Sequence, residues 1–505
     1  MKQKHYDLCI LGGSLAGLSA AVRAKELGVQ RVLVLEKMKF LGGCAKLAGG
    51  IYSVESPTQR RLGLHYTADE CFRGHMDINN WDCDVKLVGK WQRRTGDNIR
   101  WLEEKGCWFT KVLNFSGEKR FYHMTEKPTG NTIIETLVKE CQRFGVEILT
   151  EAPAKHLLVR DEKVVGVQAE LNGVLTDISA DNILIATGSI SANEALLKKF
   201  YPGEDLSHTK IMARVPHNTG DGYLMAMEIG AAETPISTLY IGPHNHPYNQ
   251  RTGLIMRRPQ VVKLNRNGER FTDESMPETR DFGWMQSIAL NRQPGKICYG
   301  IMDQSIFDYY MTHKQNLTAF EFRHGNRKNQ DALSDYGKKE GVETIDKGAT
   351  AWLDMVPDDI QKEADEGRIF ICATLDEVAE AIGAKDPEIV KETIRNYNYA
   401  CEQHYDAECL KDPRYLMPLT TPPYYVFVAY QGIDTCIGGI RVNHKLQVVD
   451  RECWPIEGLY CAGVAAGGWC SRGYGYFGSE MSFVLYSGIA VGEEVASRVH
   501  NQKDG

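Results

Sequence analysis

The chain has no CxxC pair. Its fourteen cysteines, among them Cys9, Cys44, Cys107, Cys298, Cys372 and Cys436, stand singly. Iron–sulfur, zinc and c-type haem sites therefore lack their ligand spacing, and no metal is expected. His244 and His246 have no third ligand at metal spacing either and read as loop histidines. No apolar run is long enough to span a bilayer, and neither a signal-peptide core nor a twin-arginine leader precedes the first strand. A cytoplasmic location with reduced thiols is the expectation. Charge of one sign is also scarce: 59 basic against 66 acidic residues leave a net charge of -7 over 505 residues. That gives no electrostatic footprint for nucleic acid or an anionic membrane. No internal repeat or low-complexity linker interrupts the chain. Its 43% hydrophobic and 25% charged residues are the balance of an ordinary globular protein with room for two or three domains.

What is present is concentrated between Tyr6 and Gly50. Leu8 to Leu11 is a short apolar run that reads as a buried parallel strand, and Gly12 ends it in a tight turn. Ala16 to Leu27 follow as a helix, and Arg31 to Leu35 as a second strand closing at Glu36. This is a βαβ unit of about thirty residues, the length such a crossover needs. Gly12, Ser14 and Gly17 stand at the three small-residue positions of the dinucleotide fingerprint, with Ser14 replacing the usual second glycine. There the backbone must approach a pyrophosphate at a helix N-terminus. Glu36 sits at the strand end, where a carboxylate accepts hydrogen bonds from a ribose diol. No second fingerprint for a nicotinamide cofactor follows, so an external electron donor or acceptor is expected.

Leu41 to Gly50 (LGGCAKLAGG) is rich in small residues, which lets backbone pass under a flat ligand such as an isoalloxazine ring. It contains no histidine, so a non-covalent flavin is expected. Residues 66–112 have amphipathic helical spacing anchored by Trp91, Ile99, Trp101 and Leu102, and Thr129 to Arg143 predict another helix. Short strands follow at Val146–Leu149, Lys155–Val159 and Val164–Gln168, with a turn at Asp161-Glu162. Asp181 to Gly188 predicts a buried strand ending in Ala-Thr-Gly, a second place for backbone to meet a cofactor. Asp221, near the start of a helix over Tyr223–Ile229, either caps that helix or binds a ribityl hydroxyl. The character changes near residue 236, through a loop and a hairpin turned at Asn267-Gly268. Helices are expected over Ala373–Ile382 and Pro387–His404, a hairpin over residues 440–450, and a last long helix over Met481–Arg498.

Six stretches in order, GGSLAG with Glu36, GGCAKLAGG, ATG at 186–188, TGDG at 219–222, GERFTDE at 268–274 and IEGLYCAGVAAGG at 456–468, resemble the flavoprotein family of fumarate reductases, urocanate reductases and 3-ketosteroid dehydrogenases. The resemblance spans nearly the whole chain. It implies an α/β fold: a Rossmann-like FAD-binding domain built from both chain ends, residues 1–240 and 421–505, with an inserted α+β capping domain over 241–420. It implies a substrate held between cap and flavin, and hydride transfer at an activated C–C bond. The family's cofactor contacts carry over to Ala16, Glu36, Cys44, Ala45, Gly49, Gly50, Ala154, Asp221, Met481 and Ser482, the last two facing the pyrimidine end of the flavin. Ser14, Gly17, Lys37, Thr187, Gly188 and Gly463 complete the expected cofactor set.

At the substrate positions the sequence departs from fumarate reductase. Its proton-donating arginine falls at Phe307, a histidine before its paired glycines falls in Asp434–Ile437, and its second carboxylate-binding arginine falls at Gly475. A buried dicarboxylate needs such cations, so the departures argue against fumarate. Ketosteroid dehydrogenases carry a tyrosine and a glycine at the separation of Tyr474 and Gly478, whose hydroxyl and backbone N–H hold a ketone oxygen. Two such donors stabilise charge developing on an enone oxygen as an oxyanion hole does. The alternative is that Tyr474 and Tyr476 only pack beside the flavin. For the proton donor the candidates are Arg280, with Glu274 as its partner, Tyr309, Tyr310, Glu278 and His246. The expected substrate is an enone such as a 3-oxosteroid, a bile-acid derivative or a plant phenolic. The alternatives are an enoate reductase, with the carboxylate on Arg280 or Arg472, and a flavin subunit that passes electrons to a partner protein.

Overall fold

Leu8–Leu11 is four apolar residues with no polar alternation, and such a strand must be covered on both faces. In the computed structural model it lies inside a six-stranded sheet. The structure describes residues 4–114, 121–202, 210–211, 215–240, 247–276, 285–313, 354–471 and 478–504. The sheet runs 447–449, 455–461, 183–185, 8–11, 32–35, 147–149. All neighbours are parallel except the antiparallel edge strand Gln447–Val449. Pro455–Cys461 pairs beside Ile183–Ile185, so both chain ends build one sheet. Helix Leu15–Glu26 follows the first strand. Ser14 caps it, and nine of its residues are buried against the sheet and the C-terminal helix Ser479–Asp504.

Those two helices touch through glycine. A Cβ on Gly488 would lie 2.1 Å from Ser19 Oγ and 2.3 Å from the Ala16 carbonyl oxygen, and one on Gly492 would lie 2.8 Å from the Ala20 carbonyl oxygen. Only glycine lets the backbones approach this closely.

Local patterns hold where contacts are local. Thr129–Arg143 is a helix, and Asp161 and Glu162 turn with φ of 49° and 64°. One expectation changes. The span 66–112 is two helices, Ala68–Ile78 and Val85–Glu103, because Asn80 and Trp81 take φ of 52° and 58° and Asp84 caps the second helix. Of the three short strands after 145, only Glu147–Leu149 joins the parallel sheet. Ala154–Arg160, Lys163–Leu171 and Val174–Ala180 form an antiparallel layer of their own, edged by His5–Tyr6.

A second hydrophobic core gathers residues between Tyr248 and Ala429, apart from the core of the parallel sheet. Its antiparallel sheet runs 262–264, 297–303, 424–430, 369–372, covered by helices that include Leu375–Ile382 and Pro387–Glu402. The chain is thus an α/β protein with an inserted α+β cap. The return to the first core falls later than residue 421. Tyr424–Tyr430 pairs with Ile297–Asp303 in the cap, and only the next strand, Gly432–Ile440, pairs with Glu233–Tyr240.

The cap also buries an ion network. Arg270, fully buried, donates to Glu274 at 2.8 Å and Asp406 at 2.9 Å, and Lys411 lies 3.5 Å from Glu274. Lys411 and Arg270 hold the Glu274 carboxyl down at about 2 against the cost of burial, and burial lowers the Lys411 ammonium to about 8. Glu274, offered as a partner for Arg280, belongs to this network, and Arg280 lies outside the described residues.

Candidate active site

A cavity of about 700 Å³ opens where the parallel sheet, the C-terminal helix and the cap meet. Of the expected cofactor residues, Ser14, Glu36, Lys37, Cys44, Ala45 and Gly50 line it, as do Ala154, Thr187, Gly188, Asp221, Gly463 and Met481.

Each is set there by local chemistry. Ser14 is a helix cap more than a substitute glycine: its Oγ accepts the Gly17 N–H at 3.3 Å and donates to the Ala186 carbonyl at 2.9 Å, joining two cofactor-side loops. The helix it opens has no acidic residue in its first turn, so its N–H groups and positive end face the cavity without an internal anion. Glu36 is nearly buried and holds both oxygens in place, accepting Gly13 N–H and Met38 N–H at 2.8 Å each. Burial raises its carboxyl above the usual range, and the two backbone donors pull the other way. Lys37 Nζ donates to Thr219 Oγ1 and Asp221 Oδ2, both at 2.7 Å. Asp221 is therefore not the helix cap; Gly220, at φ of 76°, takes that place. Asn218 Nδ2 donates to Cys44 Sγ at 3.2 Å, and the Gly222 N–H to Thr187 Oγ1 at 3.2 Å.

Four expected residues form the wall without lining the cavity. A Cβ on Gly17 would sit 2.0 Å from the Gly12 carbonyl oxygen, so this glycine permits close strand–helix packing. Ala16 packs on Gly463, the Gly49 carbonyl accepts Thr129 Oγ1 at 2.6 Å, and Ser482 Oγ accepts Trp91 Nε1 at 3.1 Å.

Gly478 lines the cavity, and its lack of a side chain has a packing cause. A Cβ there would meet the Tyr52 backbone nitrogen at 2.7 Å and the Tyr122 ring at 2.8 Å; one on Gly50 would meet the same ring at 2.4 Å. Tyr122 thus fills a slot between two glycines. Tyr474, Arg280 and His246, with Glu278 and Arg472, lie outside the described residues. Tyr310 is in the cap core and does not line the cavity; it is fully buried and donates to Gln260 Oε1 at 2.8 Å. Tyr309 stacks on His313, and Phe307 stacks on Tyr425 at 5.5 Å within the cap. Neither is among the residues that line the cavity.

Sequence reasoning missed Tyr122, His217, Asn218, Arg257 and Thr435, which also line the cavity. His217 packs edge-on to Phe40 at 5.7 Å, and burial with the nearby Lys37 charge lowers its pKa. Tyr122 and Thr435 reach the cavity from other sheets and Arg257 from the cap, which no local pattern marks. His217 and Asn218, by contrast, stand directly before the TGDG stretch on the loop that carries Asp221.

An anion-ready helix N-terminus, a fixed carboxylate for a ribose diol and small-residue loops beneath a flat surface fit a flavin dinucleotide. The fold and this cradle define a flavin-dependent oxidoreductase. The chain belongs to the FAD binding domain family, whose pattern matches residues 7–476. It is similar to the vinyl phenol reductase of Lactiplantibacillus plantarum, with 24% identity over 99% of this chain and 98% of that protein. It is 24% identical to the NADH:fumarate oxidoreductase of Klebsiella pneumoniae, of which the match spans 48%. Among solved structures it shares the fold of the 3-ketosteroid-Δ4-(5α)-dehydrogenase from Rhodococcus jostii RHA1, with a TM-score of 0.71, 19% identity and 97% of both chains covered. The chain is accordingly an FAD-dependent oxidoreductase acting on CH–CH bonds. Among the described residues no helix is long and apolar enough to cross a membrane.

Proposed function

We propose that the protein reduces, or in reverse forms, a C=C bond conjugated to a single ketone or phenol oxygen, as in a 3-oxosteroid, a bile-acid derivative or a plant phenolic. The observation that carries this reading is the count of cations on the cavity wall. Among the described lining residues these are Lys37, held by Asp221 and Thr219, and Arg257. A buried dicarboxylate needs a partner for each charge. Arg257, with Lys37 held by Asp221, suits one oxygen better than two carboxylates. The full-length similarity to a vinyl phenol reductase supports the same substrate class.

FAD, held non-covalently, supplies the hydride through N5 when bound and reduced. The chain does the rest. The N-terminus of helix Leu15–Glu26 and Glu36 hold the dinucleotide, and the Tyr474 hydroxyl with the Gly478 N–H polarises the conjugated oxygen. A cap-side acid, Arg280 or His246, delivers the proton to the α-carbon. Electrons come from an external donor. All fourteen cysteines are free thiols, which suits a cytoplasmic enzyme.

The test is an anaerobic titration of the dithionite-reduced protein with enones, vinyl phenols and alkenoic acids. Rapid reoxidation by enones or vinyl phenols, slowed in Tyr474→Phe, supports the reading. Reoxidation by carboxylic acids alone overturns the substrate class and the role of Tyr474.

A further inference from the structure

Among the described residues between 241 and 420, Arg257 is the one that lines the flavin cavity. Its place is built. It ends helix Gln250–Met256, with its own N–H bonded to the Ile255 carbonyl. The start of that helix is tied down by Asn249, whose Oδ1 accepts the Thr252 N–H at 3.0 Å. The backbone N–H and Nδ2 of Asn249 donate to Glu363 Oε1 at 3.0 and 3.1 Å. On either side of Arg257, Met256 and Arg258 are buried in the cap at 0% and 1% exposure, so the backbone at 257 is clamped from both directions. Arg257 itself is half-buried at the seam. A guanidinium there acts through less water than one on the surface.

The rest of the described wall is poor in positive charge. Glu36, Lys37 and Asp221 form one group around Lys37. Glu480 stands at the start of the C-terminal helix, and Tyr122, Thr435, Gly478 and Met481 are neutral. One positioned cation, carried by the cap, thus faces the cavity that the cofactor loops build.

We propose that Arg257 is a catalytic residue that binds the substrate's conjugated oxygen and stabilises the negative charge that gathers on it. The proposal rests on the reductase reading above and deepens it. In the reduction, a hydride forms a new C–H bond at the β-carbon. The C=C π pair moves toward the carbonyl carbon, and the C=O π pair moves onto oxygen. That oxygen is then anionic and pairs with the guanidinium. A proton adds at the α-carbon and the C=O is restored. Two electrons and one hydrogen come as hydride from reduced FAD, and one proton comes from the cap-side acid or water. Arginine suits the task because its planar fork binds oxygen anions with two parallel donors and never loses its charge. The preferred substrate is therefore a planar conjugated ketone. A vinyl phenol fits only in the reverse order: its terminal carbon is protonated to give a quinone methide, hydride adds at the benzylic carbon, and the pair released returns to the ring oxygen as phenolate beside the guanidinium.

The test uses the FAD-loaded protein with Arg257→Met and Arg257→Lys, and two readouts. The first is the rate constant for reoxidation of the reduced flavin by an enone. The expected loss is roughly 100-fold or more in the methionine variant, the scale of removing one oxyanion donor, with partial recovery in the lysine variant. The second needs no turnover: 4-nitrophenol is titrated into the oxidised protein and its phenolate absorbance followed with pH. Wild type lowers the apparent pKa of the bound phenol, and the methionine variant abolishes that shift while FAD content stays unchanged. A methionine variant within threefold of wild type in rate, binding the phenol in the same protonation state, overturns the proposal. If no alkene reoxidises even the wild type, the reductase reading fails instead, and the phenol titration still decides whether Arg257 binds an oxygen anion.

Discussion

Replacing Gly488 by alanine tests how the two helices that flank the cofactor site are held together. The added Cβ would lie 2.1 Å from Ser19 Oγ, 2.3 Å from the Ala16 carbonyl oxygen and 3.0 Å from the Ala16 carbonyl carbon. Ser19 cannot simply swing aside, because its hydroxyl donates to the Leu15 carbonyl at 2.8 Å, and a helix carbonyl does not rotate. The helices must separate by something on the order of an ångström. Overpacking of this kind costs about 1–3 kcal/mol. The better helix propensity of alanine returns about 1 kcal/mol, so the net loss of stability is up to about 2 kcal/mol. Ala16 lies in the first turn of the helix whose N–H groups face the cavity, so the displacement also weakens FAD binding. Gly492→Ala is the graded control: its nearest contacts are 2.8 and 3.0 Å, and its cost is smaller. Denaturant midpoints give the stability, and quenching of FAD fluorescence gives the affinity. A Gly488→Ala protein with the midpoint and FAD affinity of wild type would refute the argument.

Glu36→Gln removes one of two acceptors for the buried Gly13 N–H and the half-buried Met38 N–H, at a cost of about 1–3 kcal/mol. FAD affinity should fall roughly 10-fold or more, and equal affinity would remove Glu36 from the cofactor site. Acid should destabilise the protein in two stages. Burial holds the His123 imidazole down at about 4, so the unfolded chain, with its histidine near 6.5, takes the proton first and stability declines as pH falls from 6.5 toward 4. Glu274 is held at about 2 against 4.5 unfolded, so its contribution, on the order of 3 kcal/mol, is present above pH 4.5 and lost between 4.5 and 2. Denaturant midpoints measured against pH follow both stages, and a His123→Gln variant should flatten the first.

The parts of the fold that read well from sequence are those that local contacts decide. The strand Leu8–Leu11, the turn at Gly12 and the strand Val32–Leu35 follow from apolar runs and glycine placement within one βαβ unit. The helices over 129–143 and 387–402 follow from amphipathic spacing. The helix break near Asn80 did not read, because the residues around it keep helical apolar spacing while the backbone turns at positive φ. The late return to the first core did not read either. Tyr424–Tyr430 is assigned to the cap by a strand more than a hundred residues earlier, a pairing that no local pattern encodes.

The candidate site divides the same way. Its cofactor half rests on loops at strand ends, where fingerprint spacing is informative, and Ser14, Glu36, Thr187 and Gly463 line the cavity. Its other half is assembled by long-range contact. Tyr122 arrives between Gly50 and Gly478 from a separate small sheet, and Arg257 arrives from the cap. Gly478 looked like a substrate donor from its spacing to Tyr474, and the structure adds a packing demand from Tyr52 and Tyr122 that would by itself require glycine.

The most direct test of the account is a stopped-flow reaction of the anaerobically reduced protein with 4-vinylphenol and with a matched conjugated ketone, with the products analysed after one turnover. The account predicts that the oxidised flavin spectrum returns while one C=C bond is saturated per flavin reoxidised. A reduced flavin that stays reduced with both alkenes, yet is reoxidised by a partner protein, would contradict it and assign the chain to electron transfer.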